Sequence, residues 1–167
     1  MSAPHPALIG FETHDHTLCV DTALAAADAR CAAEDLRMTP VRRAVLEILL
    51  REHRALGAYA ILDRLREAGF GSQPPVAYRA LEFLSEHGFV HKIEGASAFV
   101  ACAHPGEAHT PVFMVCRSCN AVAETKAQSI LAKGALGAAA ESAGFQIERM
   151  VVEAEGLCPA CCEAQAP

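Results

Sequence analysis

No run in this chain approaches the roughly twenty consecutive apolar residues that a membrane span needs. Residues 1–11 also lack the basic start and apolar stretch of a secretory signal. The expected location is therefore the cytoplasm, where thiols stay reduced. Positive charge is scarce, with 14 Lys and Arg against 20 Asp and Glu and a formal net charge of −6. Taken whole, so acidic a chain is repelled by nucleic acid. No internal repeat is visible, which argues against a fibrous protein. What the 167 residues do contain is 52% hydrophobic side chains, enough for one good core or two small ones, together with eight Cys and eight His. In a reducing compartment paired thiols point to metal binding or redox work before disulfides.

The charge is uneven along the chain. Residues 1–36 hold one basic against six acidic side chains, residues 37–92 hold nine against six, and residues 93–167 hold four against eight. The middle is thus a basic segment between acidic flanks. A polyanion partner for that segment alone and a solvated face with a few extra Arg both account for the excess.

Residues 1–16 read as a loose tail, and residues 18–33 as an Ala-rich helical stretch. Thr39-Pro40 starts a helix, with a hydroxyl at the cap and Pro in the first turn, and Val41, Val45, Ile48 and Leu49 share one face. Gly57 breaks it, and residues 58–68 form a second helix with Ile61, Leu62 and Leu65 inward. A third opens at Pro74-Pro75 and stops at Gly88; Ala77, Leu81 and Leu84 fall on its inner face, Tyr78 on its flank and Arg79 on its exposed side. Residues 89–94 and 98–102 then make a hairpin about Gly95-Ala96-Ser97. Three helices and a hairpin predict a winged helix-turn-helix over residues 17–102. Residues 103–111 form a hinge. Residues 112–167 carry strands over 112–115, 121–125 and 145–154 and a helix over 126–142, a small α/β domain short of core. The fold class expected is α+β.

Cys116-Arg-Ser-Cys119 and Cys158-Pro-Ala-Cys161 are two Cys-x-x-Cys knuckles, whose four thiolates suit one tetrahedral zinc ion. A thioredoxin-like redox pair and buried free thiols are the rival readings. A redox motif belongs at a helix start in a βαβ unit, whereas these knuckles fall at expected strand ends and come twice. A second group, His91, Cys102, His109 and Glu124, falls on the wing, at the hinge, after it and at a strand end. Imidazole, thiolate and carboxylate together suit zinc, but spacing alone also leaves them as a wing residue, a core thiol and two surface groups. His14, His16 and Cys19 could form a further weak site, and a solvated tail explains them as well.

Thr39-Pro40-Val41-Arg42-Arg43, Pro74-Pro75-Val76-Ala77-Tyr78-Arg79-Ala80-Leu81, Gly88-Phe89-Val90-His91-Lys92 and the two knuckles, in this order, resemble the ferric uptake regulator (Fur) superfamily, and within it the zinc uptake regulator (Zur) branch. The resemblance runs over residues 36–162. It implies a homodimeric, metal-dependent repressor of operator DNA, not an enzyme, with an N-terminal winged helix, a C-terminal dimerisation domain and two Zn²⁺ per protomer. Cys116, Cys119, Cys158 and Cys161 would hold the structural zinc, and His91, Cys102, His109 and Glu124 the sensing zinc. Tyr78 and Arg79 match the family's DNA-contacting pair, and Arg42 and Arg43 are candidate phosphate contacts. Ala77 replaces the family's usual Thr, and Cys162 is an extra thiol beside Cys161. The His-rich hinge of iron-responsive members is missing, which favours zinc over iron or manganese. A thiol-disulfide enzyme and a zinc-stapled protein-interaction module are the rivals from other classes.

Overall fold

The computed structural model describes residues 11, 16–52, 54–71, 73–107, 109–126 and 134–165. They fall into two compact units, one extending to Gly106 and the other beginning at Glu107. Of the expected tail over 1–16, residues 1–10 and 12–15, His14 among them, lie outside the described residues, as does the side chain of His16, whose backbone begins the first helix.

The first unit contains α1 (His16–Ala33), α2 (Pro40–Arg51), β1 (Leu56–Gly57), α3 (Ala58–Glu67), α4 (Pro74–Glu86), β2 (Val90–Ile93) and β3 (Ala98–Ala101). The Ala-rich stretch is a full packing element: Val20, Leu24, Ala27 and Cys31 recur at helical spacing and are all buried. Thr39 caps α2 as its sequence predicts, its hydroxyl accepting a hydrogen bond from the Arg42 amide at 3.3 Å, with Pro40 in the first turn. The inner faces of α2, α3 and α4 contribute Val45, Leu49, Ile61, Leu65, Ala77, Leu81 and Leu84 to one cluster.

Gly88 ends α4 in the left-handed region, at φ +70°, a conformation that costs a residue with a Cβ. There the Phe89 amide donates back to the Leu84 carbonyl at 2.8 Å and the Gly88 amide to Ser85 at 3.1 Å, a paired closure that turns Phe89 into the core. The expected hairpin follows, with Val90 opposite Ala101 and Ile93 opposite Ala98. A third strand was not foreseen. Leu56 and Gly57 pair with Phe99 and Ala98, giving the order β1-β3-β2; two residues are too few to show an alternation.

The second unit contains β4 (Pro111–Cys116), β5 (Val122–Lys126), α5 (Ala135–Ala143), β6 (Val152–Gly156) and α6 (Pro159–Ala164). Its sheet runs β5-β4-β6, with β4 antiparallel to β5 and parallel to β6. Part of the helix expected over 126–142 falls on residues 127–133, outside the described ones. The strand expected over 145–154 is shorter than the alternation implied. Pairing begins at Val152, while Phe145 is 68% and Ile147 37% exposed, so residues 145–151 have no sheet partner among the described residues. Both units combine helices with a small sheet, antiparallel in every pair but β4 with β6, a mixed helix and sheet structure that fits the expected α+β class. No helix among the described residues is long and apolar enough to cross a membrane.

Candidate metal centres

The sheet of the second unit brings the two knuckles together. Parallel pairing sets Cys116, the last residue of β4, opposite Gly156 of β6, so Cys158 follows two residues past the point of contact. Asn120, at φ +58°, turns the chain back into β5, and its amide donates to the Cys116 carbonyl at 2.9 Å. The Arg117 amide donates to Gly156 at 2.9 Å and ties the first knuckle to the second strand. Only the first knuckle sits at a strand end. Cys158 instead caps the six-residue helix α6, and Cys161 lies within it. A helix start is where a redox pair would belong, so placement alone does not decide the chemistry.

Convergence favours a shared ion. One sulfur from each of Cys116, Cys119, Cys158 and Cys161 lies within 4.8 Å of every other. The Cys119 and Cys158 sulfurs are 3.7 Å apart. A disulfide needs roughly 2.0 Å. The edge of a tetrahedron built on Zn–S bonds of about 2.3 Å is about 3.8 Å, so the spacing fits a shared ion. Backbone hydrogen bonds from Cys158 and then Cys119 hold the Cys116 thiol down to about 6, against burial. At Cys161 the Ser118 side chain pulls the other way from Cys158 and Cys119, whose hydrogen bonds prevail and push the thiol up to about 12. Crowding makes the four sulfurs compete for negative charge, and a divalent cation relieves that competition.

The second candidate group divides between the units. In the first, His91 on β2 is opposite Val100 of β3, and Cys102, two residues further on, faces the same side, its sulfur within 4.8 Å of a His91 ring nitrogen. Cys102 is buried; its amide donates to Phe89 at 2.9 Å, and its sulfur accepts from the His104 amide at 3.3 Å.

In the second unit, Glu124 on β5 is 4% exposed and meets His109 Nε2 at 2.9 Å. His109 Nδ1 lies 2.7 Å from the Glu107 carbonyl. A carbonyl only accepts, so Nδ1 carries the proton and Nε2 turns towards the carboxylate. A neutral ring would then set a lone pair against a carboxylate oxygen. A cation, whether a proton or a metal ion, is needed at that contact.

The outer face of α4 exposes Tyr78, 48% accessible, and Arg79, which pairs with no carboxylate among the described residues. Arg42 and Arg43 are placed differently. The Arg42 guanidinium lies 3.6 Å from the Phe83 ring centre and donates to the Arg37 carbonyl. Arg43 pairs with Asp28 at 3.1 Å and Glu47 at 3.9 Å. Both would exchange internal partners to meet a phosphate. Sequence reasoning passed over Tyr59, 76% exposed in the first turn of α3. The signal was available, since burial of Ile61, Leu62 and Leu65 turns position 59 outward. Cys19 and Cys162 are both exposed.

The family model of the ferric uptake regulator family matches residues 33–154. The zinc uptake regulation protein of Escherichia coli (strain K12) is 40% identical over 144 residues, covering 86% of this chain and 83% of that protein. Among solved structures, a zinc uptake regulator complexed with zinc and DNA matches with a TM-score of 0.83 at 39% identity, over 89% of this chain and 98% of the other. The crystal structure of holo XcZur matches with a TM-score of 0.76 at 38% identity, over 86% and 99%.

Proposed function

The chain belongs to the ferric uptake regulator family, and from that premise we propose that it is a zinc-responsive transcriptional repressor, which binds operator DNA as a homodimer when zinc is plentiful and shuts off zinc uptake genes. It is a regulator, not an enzyme. The reading gives each protomer two Zn²⁺. Cys116, Cys119, Cys158 and Cys161 hold one as a structural staple, a closed four-sulfur site with no position open for substrate water. His91, Cys102, His109 and Glu124 hold the other as the sensor. The observation that supports this assignment is the chemistry of the donor sets: a convergent four-sulfur cluster within the second unit, a His91–Cys102 pair within the first and a His109–Glu124 pair within the second. A thiolate in the sensor set favours zinc over iron or manganese.

The N-terminal unit is read as the winged helix-turn-helix over residues 17–102, with α4 as the helix entering the major groove, Arg79 bridging guanine O6 and N7, and Tyr78 beside it. Residues 103–111 act as the hinge, and residues 112–167 as the dimerisation domain, to which the unpaired alternation at Phe145 and Ile147 offers an apolar face. Because the four sensor ligands come from both sides of the hinge, zinc there fixes the orientation of the two recognition helices to successive major grooves. Without it each half-site must be met at a cost in orientational freedom, and coupling of a few kcal/mol suffices. The setting is cytoplasmic.

The test titrates binding to a palindromic AT-rich operator against buffered free zinc, with metal content measured in parallel. Two zinc per chain and affinity rising as the second fills are expected. Cys102→Ser is expected to abolish the zinc dependence and leave a folded dimer. Equal affinity with and without zinc overturns the reading.

A further inference from the structure

Arg30, in α1, has no place in the reading above. Its guanidinium carbon lies 4.7 Å from the centre of the Phe89 ring, and its Nε donates to Glu34 at 2.8 Å. Its Nη1 is buried with no hydrogen-bond partner among the described residues. Leaving a guanidinium N–H buried and unmet costs free energy, so pairing with Glu34 alone does not explain why the side chain points inward.

Its neighbours do explain it. Gly106 turns the chain at φ +88°, and a β-carbon there would lie 3.8 Å from Arg30 Cδ, so the arginine stem lines the inside of that turn. The Phe89 carbonyl accepts the Cys102 amide at 2.9 Å. From Cys102 the chain passes His104, whose amide donates to the Cys102 sulfur at 3.3 Å, and reaches Gly106. Phe89 holds one end of this segment and the Gly106 turn closes the other. Arg30 braces both.

We infer that Arg30 is a positioning residue for Cys102, fixing the segment 102–106 so that the sulfur is presented to zinc, and thereby setting the affinity of the sensing site without touching the ion. The inference rests on the reading of Cys102 as a sensor ligand. Partners that orient a ligand typically change metal affinity by about 10–100-fold, and Arg30 acts at one further remove.

The experiment uses the full chain, with chelator-buffered zinc titrations reporting the free-zinc midpoint of the second equivalent and thermal melts of the one-zinc form reporting stability. Arg30→Met, which keeps an apolar stem and drops the guanidinium, is expected to move the midpoint about tenfold towards higher free zinc. Arg30→Lys keeps a cation over the Phe89 ring and recovers part of that shift. Glu34→Gln, which loosens the anchor and leaves Arg30 in place, gives a smaller shift in the same direction and serves if Arg30→Met does not fold. Ile61→Val, a truncation in the core away from the segment, leaves the midpoint where it is. A wild-type midpoint for both Arg30→Met and Glu34→Gln overturns the inference, and so does an equal shift in Ile61→Val, which makes the effect one of general stability. Cys102→Ser separates the two levels. Two tightly bound zinc in that variant defeat the reading of the site itself, whereas loss of the second zinc there with an unmoved Arg30→Met defeats only the role of Arg30.

Discussion

In the N-terminal unit Val45, Ile61, Leu65, Ala77 and Leu84 have no accessible surface, and the cluster around them draws on four helices and the start of β2. In the C-terminal unit the buried apolar side chains among the described residues are Pro111, Val112, Phe113, Val122 and Ala123, joined by the sulfurs of Cys116 and Cys158. Leu136 and Phe145 there are 53% and 68% exposed. The first unit buries enough to stand on the hydrophobic effect. The described side chains of the second bury less, and under the proposed function a metal staple and a second copy would complete its closure.

The largest effect that would break this contrast is loss of the staple. Apparent binding energies of structural zinc are roughly 10–16 kcal/mol in small peptides, more than the whole stability of a small domain. Cys116→Ser or Cys158→Ser is expected to unfold the C-terminal unit while the helices of the N-terminal unit keep their far-ultraviolet dichroism. An unchanged melt, or simultaneous collapse of both units, would mean that the two are not held by different forces. The opposite perturbation is Leu65→Ala. It should destabilise the N-terminal unit by about 2–5 kcal/mol in urea titration and leave the zinc content of the protein unchanged.

The same contrast explains what the sequence made legible. The N-terminal unit is built from local signals: Thr39-Pro40, Pro74-Pro75 and Gly88 mark helix boundaries that the structure places within a residue or two. The packing of α1 against α2 was not legible, because an Ala-rich stretch has a weak amphipathic pattern and only the spacing of Val20, Leu24, Ala27 and Cys31 reveals its inner face. In the C-terminal unit the four-cysteine cluster could be read from spacing. The extent of the last strand could not, because alternation from Phe145 onward reports an apolar face without saying which chain covers it. The pairing of His109 Nε2 with Glu124, fifteen residues apart, left no local mark; hydrogen bonding by Glu107 sets the ring, and the sequence grouped these residues only by their chemistry and place near the hinge, leaving the resemblance to favour a site.

A smaller effect separates the roles proposed for exposed and engaged arginines in the N-terminal unit. Arg79 is exposed and has no carboxylate partner among the described residues, so Arg79→Ala is expected to leave the melting curve unchanged and cost about 1–3 kcal/mol per half-site with relaxed sequence preference. Arg43 already pairs with Asp28 and Glu47. Arg43→Ala should weaken binding evenly across sequences and reduce the salt slope by about one. If a footprint of the Arg79 variant is unchanged while Arg43→Ala alters sequence preference, the assignments are reversed.

The smallest effect is a difference in the direction of pH failure. Burial, and then the Asp28 carboxylate, raise the Cys31 thiol in α1 above its ordinary 9.0. A raised pKa in the fold means that the neutral thiol is the form the core accepts. Stability from this group is therefore complete below pH 9 and is lost as pH rises through the folded value, because the unfolded chain ionises first. At pH 10, one unit above the unfolded value, the loss is at most about 1.4 kcal/mol. If the four thiolates hold zinc as proposed, the C-terminal unit is expected to fail from the other side, since protons displace zinc from thiolates as pH falls. Melts of Cys31→Ala and wild type between pH 8 and pH 10 measure the alkaline term. The wild type should lose stability across that interval relative to the variant, and parallel curves would show that Cys31 ionises alike in the folded and unfolded chain, so that burial in α1 does not hold the thiol up.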